Sequence, residues 1–119
     1  MYVESILKLS EKKLINASAN ITGGGIVSNI IRSVPNKLSV NIDLSKIRVT
    51  KIFKWLKSNN ISDSEMLKTF NCGVGFCLIT KKSKINKIKK IFDKKYKPYE
   101  IGFISKSSKK IKLFNKIKW

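Results

Sequence analysis

Three consecutive glycines, Gly23, Gly24 and Gly25, constrain this chain more than any other feature of its sequence. Apolar residues at helical spacing follow from Ile26 to Ile31, so the glycines stand immediately before a predicted helix. Glycine lets a ligand or another stretch of backbone approach closely, and a helix start offers free N–H groups and partial positive charge. The segment predicts either a tight structural turn or a loop that binds phosphate or another anion, and three glycines exceed what a turn requires.

A second glycine-rich segment runs from Thr69 to Gly75, between a predicted helix and a predicted strand. If the strand begins inside this segment, Gly73 and Gly75 line one face, because alternate residues of a strand share a face. A glycine face admits either a ligand or a packed helix, and the residues leave both interpretations open. Neither segment is a P-loop or a dinucleotide-binding motif.

Apolar periodicity predicts helices and strands that do not alternate strictly. Helices are expected over residues 2–14, 26–34, 51–58, 62–70 and 81–96, and strands over 38–43, 76–80 and 99–104, with a strand stub at 19–22. Ser62 followed by Glu65 is a capping box at a helix start. Residues 112–119 are either a last strand or a frayed tail. The pattern indicates one domain of α+β or mixed α/β type, and we expect the α+β class, a layered mixed sheet covered by helices.

Histidine is absent, which excludes Ser-His and Cys-His catalytic pairs and imidazole metal ligands. Cys72 and Cys77 are too few for a four-thiolate zinc site, and we expect both to be reduced and without a catalytic role. Asp43 fits a strand-end turn better than a ligand position. We therefore predict no metal site and assign no catalytic residue. No apolar run is long enough to span a bilayer, and the N-terminus is not a signal peptide, so no membrane partner is expected.

The sequence has 24 lysines and 2 arginines against 7 acidic residues, a formal charge of +19. Such a charge favours nucleic-acid binding, because cationic side chains that neutralise phosphates release counterions. Lysine, together with 18 isoleucines and 10 asparagines, is also what an A/T-rich coding sequence produces in any protein. The aromatic residues do not interleave with a basic run, and arginine is nearly absent. We favour compositional drift and expect no specific nucleic-acid partner, with a small basic nucleic-acid-binding module as the alternative.

Taken together, the segments resemble the C-terminal domain of the aminoimidazole ribonucleotide synthetase (phosphoribosylformylglycinamidine cyclo-ligase) family. The resemblance extends from residue 2 to about residue 104, and its most specific run is Thr-Phe-Asn-x-Gly-x-Gly. The matching residues are Tyr2-Val3 with Leu7, Ile21 to Gly25, Asn29-Ile30, Arg32 before Pro35, Ile42-Asp43, Ile52-Phe53, Trp55-Leu56, Glu65-Met66, Thr69 to Asn71 with Gly73 and Gly75, and Ile101-Gly102.

The resemblance implies a cytoplasmic enzyme of purine biosynthesis that closes the ring of formylglycinamidine ribonucleotide, with ATP, to give aminoimidazole ribonucleotide. It implies an active site between two domains, with the N-terminal domain supplying most contacts to ATP and Mg²⁺ and the homodimer interface. The glycine-rich loops of the C-terminal domain line that cleft. The implied phosphate- or substrate-binding residues are Thr22, Gly23, Gly24, Gly25, Asn29, Arg32, Asn71, Gly73 and Gly75.

Three departures from the family pattern stand out. Asn20 occupies the position before Ile-Thr-Gly-Gly-Gly where the family usually has histidine, and Ile31 stands where proline is frequent. The chain is also about a third of the family's length. We therefore expect residues 1–119 to be a partial, substrate-side C-terminal domain without the N-terminal ATP-binding domain. Such a chain is inactive alone, needs that domain or a partner chain, and exposes apolar surface; an inactive remnant is a further alternative.

Overall fold

The computed structural model describes residues 3–119, and the chain divides into two compact units. The first unit contains the residues up to Ser18 and Leu78–Glu100, and the second contains Ala19–Cys77 and Ile101–Trp119. Tyr2, at which the first predicted helix and the first matching run begin, lies outside the described residues.

The described residues form five α-helices and five strands, which confirms the predicted α+β class. The helices are α1 (Val3–Glu11), α2 (Gly25–Ile30), α3 (Lys51–Lys57), α4 (Asp63–Thr69) and α5 (Ile85–Ile91). The strands are β1 (Ala17–Asn20), β2 (Leu38–Asp43), β3 (Phe76–Ile79), β4 (Gly102–Lys106) and β5 (Ile111–Phe114). Short 3₁₀ turns cover Ile31–Ser33, Leu44–Lys46, Lys82–Lys84 and Lys94–Tyr96. None of the helices in residues 3–119 combines the length and the apolar character that a membrane span requires.

The first unit is built around a small apolar cluster of Leu9, Ile88 and Phe92. Leu9 is completely buried, whereas Val3 and Leu7, two other apolar residues of α1, are 50% and 58% exposed. The helix predicted over residues 81–96 is shorter than expected. Phe92 ends α5 in an extended conformation and its side chain is buried in the cluster.

The second unit contains a mixed three-stranded sheet in the order β4-β2-β5. β2 is antiparallel to β4, with Val40 opposite Ile104, and parallel to β5, with Val40 opposite Ile111. The apolar side chains of β2 alternate as predicted, and Val40 and Ile42 are almost fully buried. β1 and β3 pair with each other in a second, two-stranded sheet.

The C-terminal segment is an ordered part of the second unit. β5 covers Ile111–Phe114, Ile117 is buried, and the Trp119 indole Nε1 donates a hydrogen bond to Asp63 Oδ1 at 2.9 Å. Asp63 also forms an ion pair with Lys57 Nζ at 3.1 Å. The sequence left a last strand or a frayed tail open for residues 112–119. The structure shows a strand, β5, followed by a chain end that the Trp119 hydrogen bond holds in place.

Candidate functional site

The triple glycine forms a left-handed turn that leads directly into α2. Gly24 and Gly25 have φ values of 96° and 73°, a region that side chains other than glycine rarely adopt. A Cβ on Gly25 would overlap the Leu67 carbonyl oxygen and lie 3.1 Å from that of Phe70, so the start of α2 packs directly on the end of α4. The fold of this chain therefore requires glycine at position 25, and the positive φ favours glycine at position 24.

Asn29 holds this turn from inside. Its Nδ2 atom donates to the carbonyl oxygens of Gly25 at 2.6 Å, Gly23 at 3.3 Å and Thr22 at 3.4 Å. The Thr22 hydroxyl donates to Asn29 Oδ1 at 3.4 Å, and the side chain of Asn29 is buried. The amide is thus occupied by the loop itself, so Asn29 shapes the turn rather than presenting a free polar group.

Gly23 differs from its two neighbours in this turn. It is exposed, its φ lies outside the left-handed region, and a Cβ built on it would meet nothing within 4 Å. Thr22 beside it is also exposed. Nothing in the fold of this chain requires glycine at position 23, where the backbone faces open space.

The second glycine-rich segment is a turn and not the start of a strand. β3 begins only at Phe76, whereas Cys72 and Gly73 have φ values of 53° and 103°. Asn71 Oδ1 accepts a hydrogen bond from the Gly73 N–H at 2.9 Å, and the Asn71 carbonyl accepts one from Val74 at 2.9 Å. The condition for a glycine face is therefore not met, because the backbone reverses between Asn71 and Val74 and the strand begins at Phe76, where the sequence predicts it.

The two glycine-rich segments lie side by side in the second unit. The Ile21 N–H donates to the Gly75 carbonyl at 3.0 Å, which joins the residue before Thr22 to the end of the second turn. The contact of Gly25 with the carbonyl of Phe70 joins the other side of the first turn to the residue before Asn71. The structure thus brings Thr22 to Gly25, Asn29 and Asn71 to Gly75 together, as a site composed of both segments requires.

Arg32 and Asn20 stand at the margins of this arrangement. Arg32 is exposed in the 3₁₀ turn after α2, and the hydrogen bonds described within the glycine turn do not include it. Asn20 is exposed at the last position of β1, two residues before Thr22.

The two cysteines and Asp43, which the sequence analysis also considered, have structural roles. Burial raises the pKa of both the Cys72 and the Cys77 thiol to about 11, so these cysteines are protonated and unreactive near neutral pH. Asp43 accepts hydrogen bonds from the Ser45 N–H at 3.0 Å, the Ser45 hydroxyl and the Asn115 amide at 2.9 Å. These hydrogen bonds hold the pKa of the Asp43 carboxyl below its ordinary value, and the bond from the Asn115 amide has the largest effect. Asp43 is the turn former that the sequence favoured.

The groups of the two turns are backbone amides, hydroxyls and carboxamides, together with the protonated Cys72 thiol. They have the chemistry to position an anion or a polar ligand, but none of them exchanges a proton near neutral pH. Within residues 3–119 no three His, Cys, Asp or Glu side chains are placed to hold a metal ion together. Neither turn contains a carboxylate, the side chain through which proteins usually hold Mg²⁺.

Three features of the site were not predicted from the sequence. The bracing role of Asn29 has a local signal, an asparagine four residues after the last glycine, where its side chain reaches a helix-start carbonyl. The packing of Gly25 on Leu67 has no such signal, because the two residues are far apart in the chain. The Ser28 hydroxyl, which donates to the Gly24 carbonyl at 2.8 Å, was likewise not singled out.

Comparison with known proteins gives consistent matches. Residues 1–113 match the family model described as AIR synthase related protein, C-terminal domain. The phosphoribosylformylglycinamidine cyclo-ligase of Xylella fastidiosa (strain 9a5c) is 45% identical over 82 residues, which is 66% of this chain and 23% of that protein. The trifunctional purine biosynthetic protein adenosine-3 of Bos taurus is 44% identical over 80 residues, which is 66% of this chain and 8% of that protein.

A relative with a longer match is the phosphoribosylformylglycinamidine cyclo-ligase of Ligilactobacillus salivarius (strain UCC118). It is 37% identical over 108 residues, which is 89% of this chain and 31% of that protein. The chain therefore spans less than a third of the length of each of these curated relatives.

Proposed function

Because this chain belongs to the AIR synthase related family and matches its C-terminal domain, we propose that it forms the glycine-rich, substrate-side wall of a phosphoribosylformylglycinamidine cyclo-ligase active site. The proposed reaction belongs to purine biosynthesis and takes place in the cytoplasm. ATP activates the formyl-amide oxygen of formylglycinamidine ribonucleotide, an internal nitrogen attacks, and the products are aminoimidazole ribonucleotide, ADP and phosphate.

The observation that carries the proposal is the open space at Gly23. Gly24 and Gly25 are explained by their positive φ values and close contacts, whereas Gly23 has neither. A glycine that the fold does not need is explained if a ligand approaches the backbone at that position. Both the nucleotide and the ribonucleotide substrate of the proposed reaction carry phosphate, which backbone N–H groups bind well.

Within this proposal the nine candidate residues divide by role. The exposed backbone at Thr22 and Gly23 contacts phosphate or substrate, and Arg32 supplies positive charge from outside the turn. The other members hold the two turns in shape: Gly24, Gly25, Asn29, Asn71, Gly73 and Gly75.

The chain does not carry this reaction alone in our proposal. Its two turns contain neither a carboxylate that could hold Mg²⁺ nor a group that transfers a proton near neutral pH. We assign the contacts to Mg²⁺ and most contacts to ATP, together with the homodimer interface, to an N-terminal domain of the kind that the longer relatives have room for.

Reconstitution tests the proposal. The chain is co-expressed with the part of the Ligilactobacillus salivarius cyclo-ligase that lies outside the matched region, and ADP release is followed with formylglycinamidine ribonucleotide and ATP. We expect substrate-dependent ADP release from the mixture and none from either polypeptide alone. A folded, co-purified complex that releases no ADP at any substrate concentration contradicts the proposal.

Position 23 provides the matched variants for this assay. Gly23→Leu is expected to abolish or strongly reduce ADP release because its side chain occupies the proposed ligand space, while the fold stays intact. Ser108→Leu places the same side chain on an exposed turn in the second unit and is expected to leave ADP release unchanged. Equal activity of the two variants contradicts a ligand site at Gly23.

Asn20 adds a second test of the same site. Asparagine does not take up a proton near neutral pH, whereas the histidine that the resemblance places there does. We expect Asn20→His to increase ADP release in the reconstituted mixture. No change would show that this position does not limit the reaction.

A further inference from the structure

Residues 115–119, here called the strap, follow β5 and lie outside the part of the chain that matches the family. The match covers residues 1–113, and β5 ends at Phe114. The strap is nevertheless packed on the second unit, because Ile117 is 6% exposed and Trp119 is partly buried. A short polar segment keeps one conformation only where specific contacts offset the loss of chain entropy, so the contacts of the strap indicate its role.

The strap leaves the main sheet in a direction that its first residue fixes. Asn115 has a φ of 58°, in the left-handed region that asparagine tolerates better than most residues, and it bends the chain at the end of β5. Its Nδ2 atom donates a hydrogen bond to Asp43 Oδ1 at 2.9 Å, and Asp43 is the last residue of β2, the central strand. The strap is therefore joined to the sheet through β5 and through a side-chain hydrogen bond to β2.

The other end of the strap is held where α3 leads into α4. Trp119 Nε1 donates to Asp63 Oδ1 at 2.9 Å, and Lys57 Nζ lies 3.1 Å from the same oxygen and 5.8 Å from the centroid of the Trp119 ring. Lys57 Nζ also donates to the Ile61 carbonyl at 2.7 Å. The negative charge of the carboxylate strengthens the indole hydrogen bond, and the ammonium group over the ring adds a cation–π attraction. These contacts fix Trp119 to the first residue of α4.

Helix α4 connects this anchored end with the candidate site. Asp63 is the first of its seven residues, and a helix of that length spans about 10 Å. At its far end the Leu67 carbonyl lies against Gly25 of the first turn. Phe70, the residue after α4, leads directly into Asn71 of the second turn. A shift of α4 therefore changes how the two glycine-rich turns lie relative to each other.

We propose that the strap fixes the position of α4 on the main sheet, and that Trp119 is a positioning residue for the two glycine-rich turns. It acts through Asp63, at the end of α4 that is remote from those turns. The consequence for ligand binding rests on the proposed function, whereas the consequence for the geometry of the turns does not. The strap adds this support from outside the matched region, so it belongs to this chain and not to the family pattern.

Hydrogen exchange of the full chain tests the proposal without any ligand. Three backbone N–H groups report on different places: Phe70 at the end of α4, bonded to Met66 at 2.9 Å, Ile21 between the two turns, bonded to Gly75 at 3.0 Å, and Val40 in the main sheet, bonded to Lys110 at 2.9 Å. We expect Trp119→Ala to increase the exchange rates of Phe70 and Ile21 about tenfold, the scale of one hydrogen bond to a charged group. The exchange rate of Val40 should stay within about twofold, because its bond lies away from α4.

Two further variants separate the role of the strap from a general loss of stability. Trp119→Phe keeps an aromatic ring beside Lys57 but removes the N–H donor, so it should increase the two exchange rates by less than Trp119→Ala does. Phe103→Ala is the matched control, because Phe103 is a 61% exposed aromatic residue of the second unit that lies on β4. It should leave the exchange rates of Phe70 and Ile21 unchanged.

The ADP assay of the reconstituted mixture tests the consequence for ligand binding. Trp119→Ala is expected to raise the KM for formylglycinamidine ribonucleotide about tenfold and to leave kcat within about twofold, because displaced turns weaken binding contacts and not the chemical step. Phe103→Ala should leave both constants unchanged. If the exchange rates respond as expected but the mixture releases no ADP, the proposed function fails and the role of the strap in holding the turns stands.

Four results would overturn the proposal. Unchanged exchange at Phe70 and Ile21 in Trp119→Ala would show that the strap does not hold α4. An equal increase at Val40 would show that Trp119 contributes only to overall stability. An equal increase in Phe103→Ala would show that the effect is not specific to the strap. An unchanged KM in an active mixture would show that Trp119 does not position the turns for binding.

Discussion

Adding one methyl group to each of the three glycines in turn should produce three different losses of stability. Gly25→Ala forces alanine into a left-handed conformation at φ 73° and drives its Cβ into the Leu67 carbonyl oxygen. Gly24→Ala also has a positive φ, but its Cβ meets the Ser28 hydroxyl, the end of a side chain that can rotate away. Gly23→Ala has neither a positive φ nor a neighbour within 4 Å.

These geometries set the expected magnitudes. The left-handed conformation costs alanine about 1 kcal/mol, and separating the start of α2 from the end of α4 costs about 2 kcal/mol more, as overpacking typically does. Gly25→Ala should therefore lower the free energy of unfolding by about 3 kcal/mol, a large part of the total for a chain of this size. Gly24→Ala should lower it by about 1.5 kcal/mol, because the hydrogen bond from Ser28 to Gly24 is also lost. Gly23→Ala should raise it by about 0.5 kcal/mol by restricting the unfolded chain.

Urea unfolding followed by circular dichroism measures these differences. With a slope of about 1.5 kcal/mol per molar urea, Gly25→Ala moves the midpoint down by about 2 M, Gly24→Ala by about 1 M, and Gly23→Ala slightly upwards. A midpoint for Gly25→Ala within about 0.3 M of the parent chain would refute the close packing of α2 on α4. A loss for Gly23→Ala equal to that of Gly25→Ala would refute the open space at position 23, on which the proposed ligand site depends.

Three further predictions concern buried polar and thiol groups. Asn29→Ala should lower the free energy of unfolding by about 2 kcal/mol, because the Gly25 carbonyl loses its 2.6 Å donor; an unchanged urea midpoint would contradict the bracing role. Ser39→Ala should raise it by about 1 kcal/mol, because the buried Ser39 hydroxyl has no hydrogen-bond partner among the described residues; a destabilised variant would reveal a missed partner. Cys72 and Cys77 have pKa values of about 11 in the folded chain and 9.0 as ordinary thiols, so their contribution to stability is complete below pH 9 and is lost as the pH rises towards 11. The urea midpoint should fall across that range, and Cys72→Ala with Cys77→Ala should remove the fall.

Local patterns in the sequence predicted those strands and helix ends that depend on residues close together in the chain. The alternation of Leu38, Val40 and Ile42 with polar residues predicts β2, although the structure buries Ser39 and Asn41 of the other face as well. Ser62 predicts the start of α4, and its hydroxyl accepts the Glu65 N–H at 3.2 Å. The second bond of the predicted capping box is replaced, because Glu65 Oε1 accepts from the Thr69 hydroxyl at 2.7 Å.

The features that depend on distant residues could not be predicted in the same way. The turn at Asn71 requires Cys72 to adopt a φ of 53°, which no preference of cysteine indicates. Leu9, and not Leu7, is the buried residue of α1 because Ile88 and Phe92, from the second chain segment of the first unit, pack with it. β1 and β3 pair with each other and not with the three-stranded sheet, and this too depends on contacts between segments that are far apart in the chain.

In the candidate site, too, the local sequence motifs were predictable and the contacts between distant residues were not. The glycine run and the Thr-Phe-Asn-x-Gly-x-Gly run mark the two segments, and the structure brings them together through Ile21 and Gly75. Which glycines the fold requires becomes visible only with the neighbours of each Cβ in place. The binding roles of these residues stay predictions.

The pairing of β2 with strands near the end of the chain has a consequence for synthesis. Asn41 bonds to Ser105, 64 residues later, so the ribosome must add those residues before the central strand meets either neighbour. At 5 to 20 residues per second this interval is roughly 3 to 13 s, during which both hydrogen-bonding edges of β2 are unpaired. Translation speed is therefore a variable in the yield of this protein, and lower temperature or bound chaperones should affect its recovery more than that of a protein with local pairing.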